Sequence, residues 1–152
     1  MPILKILNVF LILGFIIQCS AELNPVRTGL DRIDEFSGLF EGKRLGIITN
    51  HTAVNSEGVH ISTLFTEMKN TEVVAFFGPE HGIKGEAEAG EKIGSERDGR
   101  RIPVYSLYGE TRKPTAEMLT GVDVLVFDIQ DIGARFYTYI QTMALAMEAA
   151  AE

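Results

Sequence analysis

The sequence predicts an α/β fold, a mostly parallel sheet with helices on both faces. Three observations predict it. Short continuous apolar runs such as "RLGIITN", "EVVAFFG" and "DVLVFDI" have the length and composition of strands buried on both sides. Stretches with apolar residues at helical spacing alternate with them, which implies βαβ units. The unusual polar residues gather just after the apolar runs, where parallel sheets bind ligands.

Taken in order, the chain opens with "MPILKILNVFLILGFIIQCSA". A single cation, Lys5, precedes an apolar run from Ile6 to Ile17, and Cys19 and Ala21 form a small-x-small pattern, so residues 1–21 read as a secretory signal peptide cut after Ala21. The run is shorter than the ~20 residues that span a bilayer. No stable membrane span is expected after cleavage. Lipid attachment at Cys19 is disfavoured by Gln18 before it. Residues 22–152 are then one domain. "GLDRIDEFSGLF" places Leu30, Ile33, Phe36 and Leu39 on one helical face. "RLGIITN" is the first strand. "VHISTLFTEMK" presents Val59, Ile61, Leu64, Phe65 and Met68 as a second helical face, and "EVVAFFG" is the next strand. "IPVYSLY" is a weaker strand, "TAEMLTG" a short helix behind Pro114, and "DVLVFDI" the clearest buried strand. The final helix is predicted to bury Phe136, Ile140, Met143, Ala144 and Met147. It runs to Glu152 without a Gly or Pro stop, so a longer protein is expected.

Composition excludes several classes. The chain has 152 residues, 45% of them hydrophobic, enough for a globular core. Its net charge of −7, more negative once Lys5 is removed, argues against nucleic acid as a partner. Its one cysteine lies in the leader, leaving no disulfide and no thiol nucleophile in the rest. That fits export to a bacterial periplasm or surface. Neither GxGxxG nor GxxxxGK[ST] occurs, nor HExxH, nor a serine nucleophile elbow, and no cofactor is expected. The glycine-rich "GIKGEAEAGEKIG" is acidic and would repel phosphate. Glu86, Glu88 and Glu91 read as a solvated loop.

The groups with chemical potential lie on one rim. Asn50-His51-Thr52 follows the first strand, Gly78-Pro79-Glu80-His81-Gly82 the second, Tyr108-Gly109-Glu110-Thr111-Arg112 the third, and Asp128 through Arg135 the fourth. Glu80, at a strand tip beside Phe76 and Phe77, could be desolvated enough to serve as a general acid, or the segment could be a plain solvated turn. His51, His81, Asp128 and Asp131 could ligate a metal, although no dense ligand cluster is visible; two histidines on strand tips more often hydrogen-bond a substrate. Asp131 could cap the final helix. Arg135, read as lying in that helix's first turn, would sit against the macrodipole unless an anion is near. Tyr105, Tyr108, Tyr137 and Tyr139 could stack on sugar rings, and glycoside hydrolysis needs little beyond two placed carboxyl groups.

The segments "GKRLGIITNHTAV", "FFGPEHGIKGEAEAGE", "PVYSLYGETRKPT" and "GVDVLVFDIQDIGARFYTYI" together resemble the exo-β-N-acetylmuramidase family of NamZ type, also called YbbC-like. The resemblance runs from about Gly29 to the end. It implies an N-terminal Rossmann-like domain, here incomplete, followed by a smaller domain beyond this chain. It also implies release of N-acetylmuramic acid from the non-reducing end of peptidoglycan fragments, in cell-wall turnover and recycling, with muropeptides or disaccharides as partners. Glu80 matches a glutamate thought to be catalytic in that family, and a second is implied beyond Glu152. Asn50, His51, His81, Tyr108, Asp128 and Arg135 are the expected substrate-binding residues, with no metal. The lactyl carboxylate of N-acetylmuramic acid needs a cation or free N–H groups. Arg135 is the first choice, with Arg112 and His51 behind it. A non-catalytic muropeptide-binding module and a metal-dependent hydrolase are the alternatives.

Overall fold

The computed structural model describes residues 25–79, 83, 96–97 and 102–152. The leader, Glu80, His81 and the acidic run from Glu86 to Glu91 lie outside the described residues. A 3-10 helix, Leu30–Leu39, comes first. It is followed by β1 (Lys43–Thr49), α1 (Ile61–Glu67), β2 (Thr71–Gly78), β3 (Glu96–Arg97), β4 (Pro103–Ser106), β5 (Val124–Asp128) and α2 (Tyr139–Ala151). The sheet order is β3-β4-β2-β1-β5. β1 is parallel to β2 and β5, and β2 to β4; among the described strands only the two-residue β3 is antiparallel. The α/β class and the mostly parallel sheet follow the sequence-based expectation.

Alternation along the strands builds two cores. Leu45 and Ile47 of β1 face one side with Val124 and Val126 of β5, covered by Leu30 of the 3-10 helix and by Ile61 and Phe65 of α1. Ile48 of β1 faces the other side with Leu125 and Phe127, covered by Ala146 of α2. Successive strand residues point to opposite faces, so this division follows directly from the pleat. In β2 the register slips: Leu45 pairs Val73 but Gly46 pairs Ala75, leaving Val74 as an extra residue. The bulge resets the alternation, so Val73 and Phe76 share the first core while Ala75 and Phe77 share the second. Gly46 sits where the second layer is closest: a Cβ there would lie 2.9 Å from Leu125 Cδ2 and 3.0 Å from Phe77 Cε2.

Four sequence-based expectations are corrected. The first helix is a 3-10 helix, matching the strict three-residue spacing of Leu30, Ile33, Phe36 and Leu39, which eclipses side chains at three residues per turn. Its Phe36 and Leu39 are nevertheless exposed. "TAEMLTG" forms consecutive turns, held by bonds such as Leu119 N–H to the Thr115 carbonyl. β5 is an edge strand, half-buried along its whole length, because β1 is its only pairing partner among the described residues. The last helix starts at Tyr139 and buries Ala146 and Ala149; Phe136, Ile140 and Met147 are exposed. Ala146 enters the second core, which apolar periodicity alone does not reveal in a helix that is apolar nearly all round. Among the described residues no helix is long and apolar enough to cross a membrane.

Candidate functional site at the carboxyl rim

In chain order the parallel strands lie third, second, first, fourth across the sheet. The order reverses between β1 and β5, and at such a switch point the connections leave in opposite directions and open a crevice beyond the strand ends. Register places Thr49 beside Asp128 at that point. Asp128 therefore lies beside Thr49, with Asn50 one residue beyond, at the strand-order reversal where this fold class binds ligands.

The tip of β1 is tightly wired. Asn50 is 2% exposed. Its Oδ1 accepts from Thr52 N at 3.0 Å and Thr52 Oγ1 at 2.6 Å. Thr52 Oγ1 in turn accepts from Gln130 N at 3.1 Å, which ties the loop after β1 to the loop after β5. Asn50 is thus primarily a scaffold for the crevice floor, with only its Nδ2 left without a partner among the described residues. The chain then returns through a compact loop whose Asn55 Oδ1 accepts from Glu57 N and Val59 N.

His60, absent from the sequence-based candidates, closes that loop. Ser62 N donates to His60 Nδ1 at 3.2 Å, making the imidazole the N-cap of α1. A ring nitrogen that accepts from a backbone N–H carries no proton, so the proton sits on Nε2. Nε2 donates to the Asn50 carbonyl at 2.9 Å. His60 is also close enough to Asp128 to act on its charge: burial pushes the Asp128 carboxyl above its ordinary range, and His60 opposes that rise. Histidine is outside the usual capping set of Ser, Thr, Asp and Asn, and no spacing motif marks it, so only the folded geometry reveals the role.

The other expected residues divide. His51 is exposed in the turn after β1, on the rim. Tyr108 follows β4, half-buried, with its N–H donating to Ser106 Oγ at 3.1 Å. The described chain carries the expected positions of Glu80 and His81 as far as Gly78 and Pro79, at the carboxyl end of β2, where Leu107 N donates to the Gly78 carbonyl at 2.8 Å. Arg135 is corrected: it lies in an exposed turn four residues before α2, not in the helix's first turn, so the macrodipole argument does not apply to it. Asp131 is corrected likewise. Its Oδ1 accepts from Gly133 N at 2.7 Å in a local turn, and the N-cap position of α2 is Thr138. Tyr105 packs on Phe77 in the second core, centroids 5.5 Å apart, rather than facing the rim. Among the described residues no group of three or more His, Cys, Asp and Glu side chains could hold a metal ion.

A mostly parallel sheet covered on both faces, with a hydrogen-bonded polar rim where its strand order reverses, defines an α/β domain of the class that binds ligands beyond its strand ends. The family model for the exo-β-N-acetylmuramidase NamZ N-terminal domain matches residues 45–152. The chain belongs to that family. It is 50% identical over 135 residues to the peptidoglycan β-N-acetylmuramidase NamZ of Bacillus subtilis (strain 168), covering 88% of this chain and 33% of that protein. Two crystal structures of DUF1343 family proteins from Bacteroides fragilis NCTC 9343 share the fold. One has a TM-score of 0.73 at 48% identity, over 82% of this chain and 31% of that one. The other has a TM-score of 0.68 at 32% identity, over 84% and 32%. The chain spans about a third of the length of each of these relatives.

Proposed function

We propose that the protein is an exported glycoside hydrolase that releases N-acetylmuramic acid from the non-reducing end of peptidoglycan fragments. The observation that carries this reading is the family match over residues 45–152, which spans the whole crevice between β1 and β5. In the proposed reaction Glu80 protonates the glycosidic oxygen as the C1–O bond breaks; water adds its hydroxyl to C1 and its remaining proton restores the Glu80 carboxyl. Asn50, Thr52 and Gln130 hold the floor, while Asp128, His51, His81 and Tyr108 contact the sugar from the strand tips. Export to a periplasmic or extracellular site rests on residues 1–21, whose charge and apolar pattern is that of a cleaved leader. Incubating the full-length protein with a chromogenic β-N-acetylmuramide tests the reading. Dye release is expected; saturable binding without release would instead make the protein a muropeptide-binding module.

A further inference from the structure

The described arginine side chains fall into two groups. Away from the carboxyl rim each is paired: Arg27 and Arg32 with Glu35, and Arg44 with Asp123. The two on rim loops, Arg112 and Arg135, have no carboxylate within ion-pair distance among the described residues. Lys113, beside Arg112, is doubly neutralised by Glu148 at 2.8 Å and Glu152 at 2.7 Å.

Of the two, Arg112 is the preorganised one. Its guanidinium carbon stands 5.5 Å from the centre of the Tyr108 ring, the geometry of a cation held on an aromatic face. Both flanks of the loop are fixed. Tyr108 is anchored through Ser106. Lys113 N donates to Thr111 Oγ1, the Thr111 hydroxyl donates to the Lys113 carbonyl, and the Lys113 ammonium is clamped to α2. A cation already held in place loses little freedom on binding, and its planar fork suits a carboxylate. Arg135, in an open turn, has no such support.

We propose that Arg112, stacked on Tyr108, is the specificity-determining cation that receives the carboxylate of a lactyl-ether sugar at the β4 end of the rim. The inference rests on the muramidase reading for the identity of that sugar. It places the charged arm of the substrate over β4 and leaves the switch-point crevice for the ring.

The test uses the full-length protein, N-acetylmuramic acid and its lactyl methyl ester, which keeps the shape and loses the charge. Wild type should bind the acid more tightly than the ester. Arg112→Ala should weaken the acid by about ten- to a hundredfold, the worth of a charge-assisted hydrogen bond, and leave the ester nearly unchanged. With a chromogenic muramide the loss should fall on KM rather than kcat, and Arg112→Lys should restore part of it. Equal losses on acid and ester, or none on the acid, would overturn the assignment. Carboxylate-dependent binding that Arg112→Ala abolishes, without sugar release by wild type, would sink the hydrolase reading and leave this site standing.

Discussion

His60 Nε2 donates to the carbonyl of Asn50 at 2.9 Å, joining the first residue of α1's cap to the tip of β1 across ten positions of chain. One ring thereby fixes a helix start and a crevice floor together. His60→Ala removes the N-cap acceptor and the Asn50 tie, and should cost about 1–3 kcal/mol in denaturant unfolding at unchanged m-value. His60→Asn restores a strong capping side chain but is too short to reach Asn50. It should recover roughly half of that loss. Full recovery by His60→Asn would show that the cap alone matters, and equal stability of the two variants that the Asn50 tie alone does.

The outer end of the same loop is held by Asp31. Its Oδ1 accepts from Ser56 N at 2.8 Å and Ser56 Oγ at 2.7 Å, and its Oδ2 from Thr28 N and Thr28 Oγ1. These donors, the Ser56 hydroxyl foremost, hold the carboxyl well below the usual carboxylate range. A lowered folded-state pKa stabilises the fold above the unfolded value of about 3.9, and the benefit fades as pH falls through the folded value. Asp31→Asn should therefore be less stable than wild type at neutral pH, and the gap should narrow steadily below about pH 4. Melting curves of both proteins across that range provide the check; a gap that stays constant with pH would assign the effect to shape alone.

The sheet was legible because strand-forming runs in a parallel sheet are apolar on both faces: "RLGIIT" and "VVAFF" form β1, divided between the cores by simple alternation, and β2, whose alternation is reset by its bulge. The polar rim was legible because polar residues follow strand ends in this architecture. What escaped was set by contacts distant in sequence. "DVLVF" has the composition of a central strand, yet among the described residues it pairs with β1 alone. The final helix is apolar on most sides, so its periodicity does not reveal that Ala146 is the residue that enters the second core. Arg135 was misplaced because Gly133, at φ +70°, and the turn from Ala134 to Tyr137 delay the helix to Tyr139. His60 escaped because its capping geometry has no sequence signature.

Glu80 carries the proposed proton transfer. Glu80→Gln keeps the side chain's shape and cannot deliver a proton. In the full-length protein turnover of a natural muropeptide should fall by ~10²-fold or more, the usual contribution of a general acid. An activated aryl muramide, whose leaving group departs without protonation, should suffer far less. A variant that retains turnover on the natural substrate would reduce Glu80 to a structural part of its turn.

Asp128 offers a separate test, because its carboxyl is held at a cost. It ends β5 beside Thr49, and burial raises its pKa, with His60 opposing the rise. A carboxyl whose folded pKa lies above its unfolded value weakens the fold once pH exceeds both, and the penalty disappears below the unfolded value of about 3.9. Asp128→Asn removes the buried charge while keeping the size. It should raise the melting temperature near pH 7, with the gain vanishing toward pH 3. If Asp128 contacts the sugar, the same variant should lower kcat/KM about tenfold or more, the worth of one hydrogen bond to a charged group. A residue retained despite its stability cost is expected where function requires it. Increased stability with undiminished turnover would remove Asp128 from the site, and decreased stability would show that contacts of the carboxylate outweigh its desolvation.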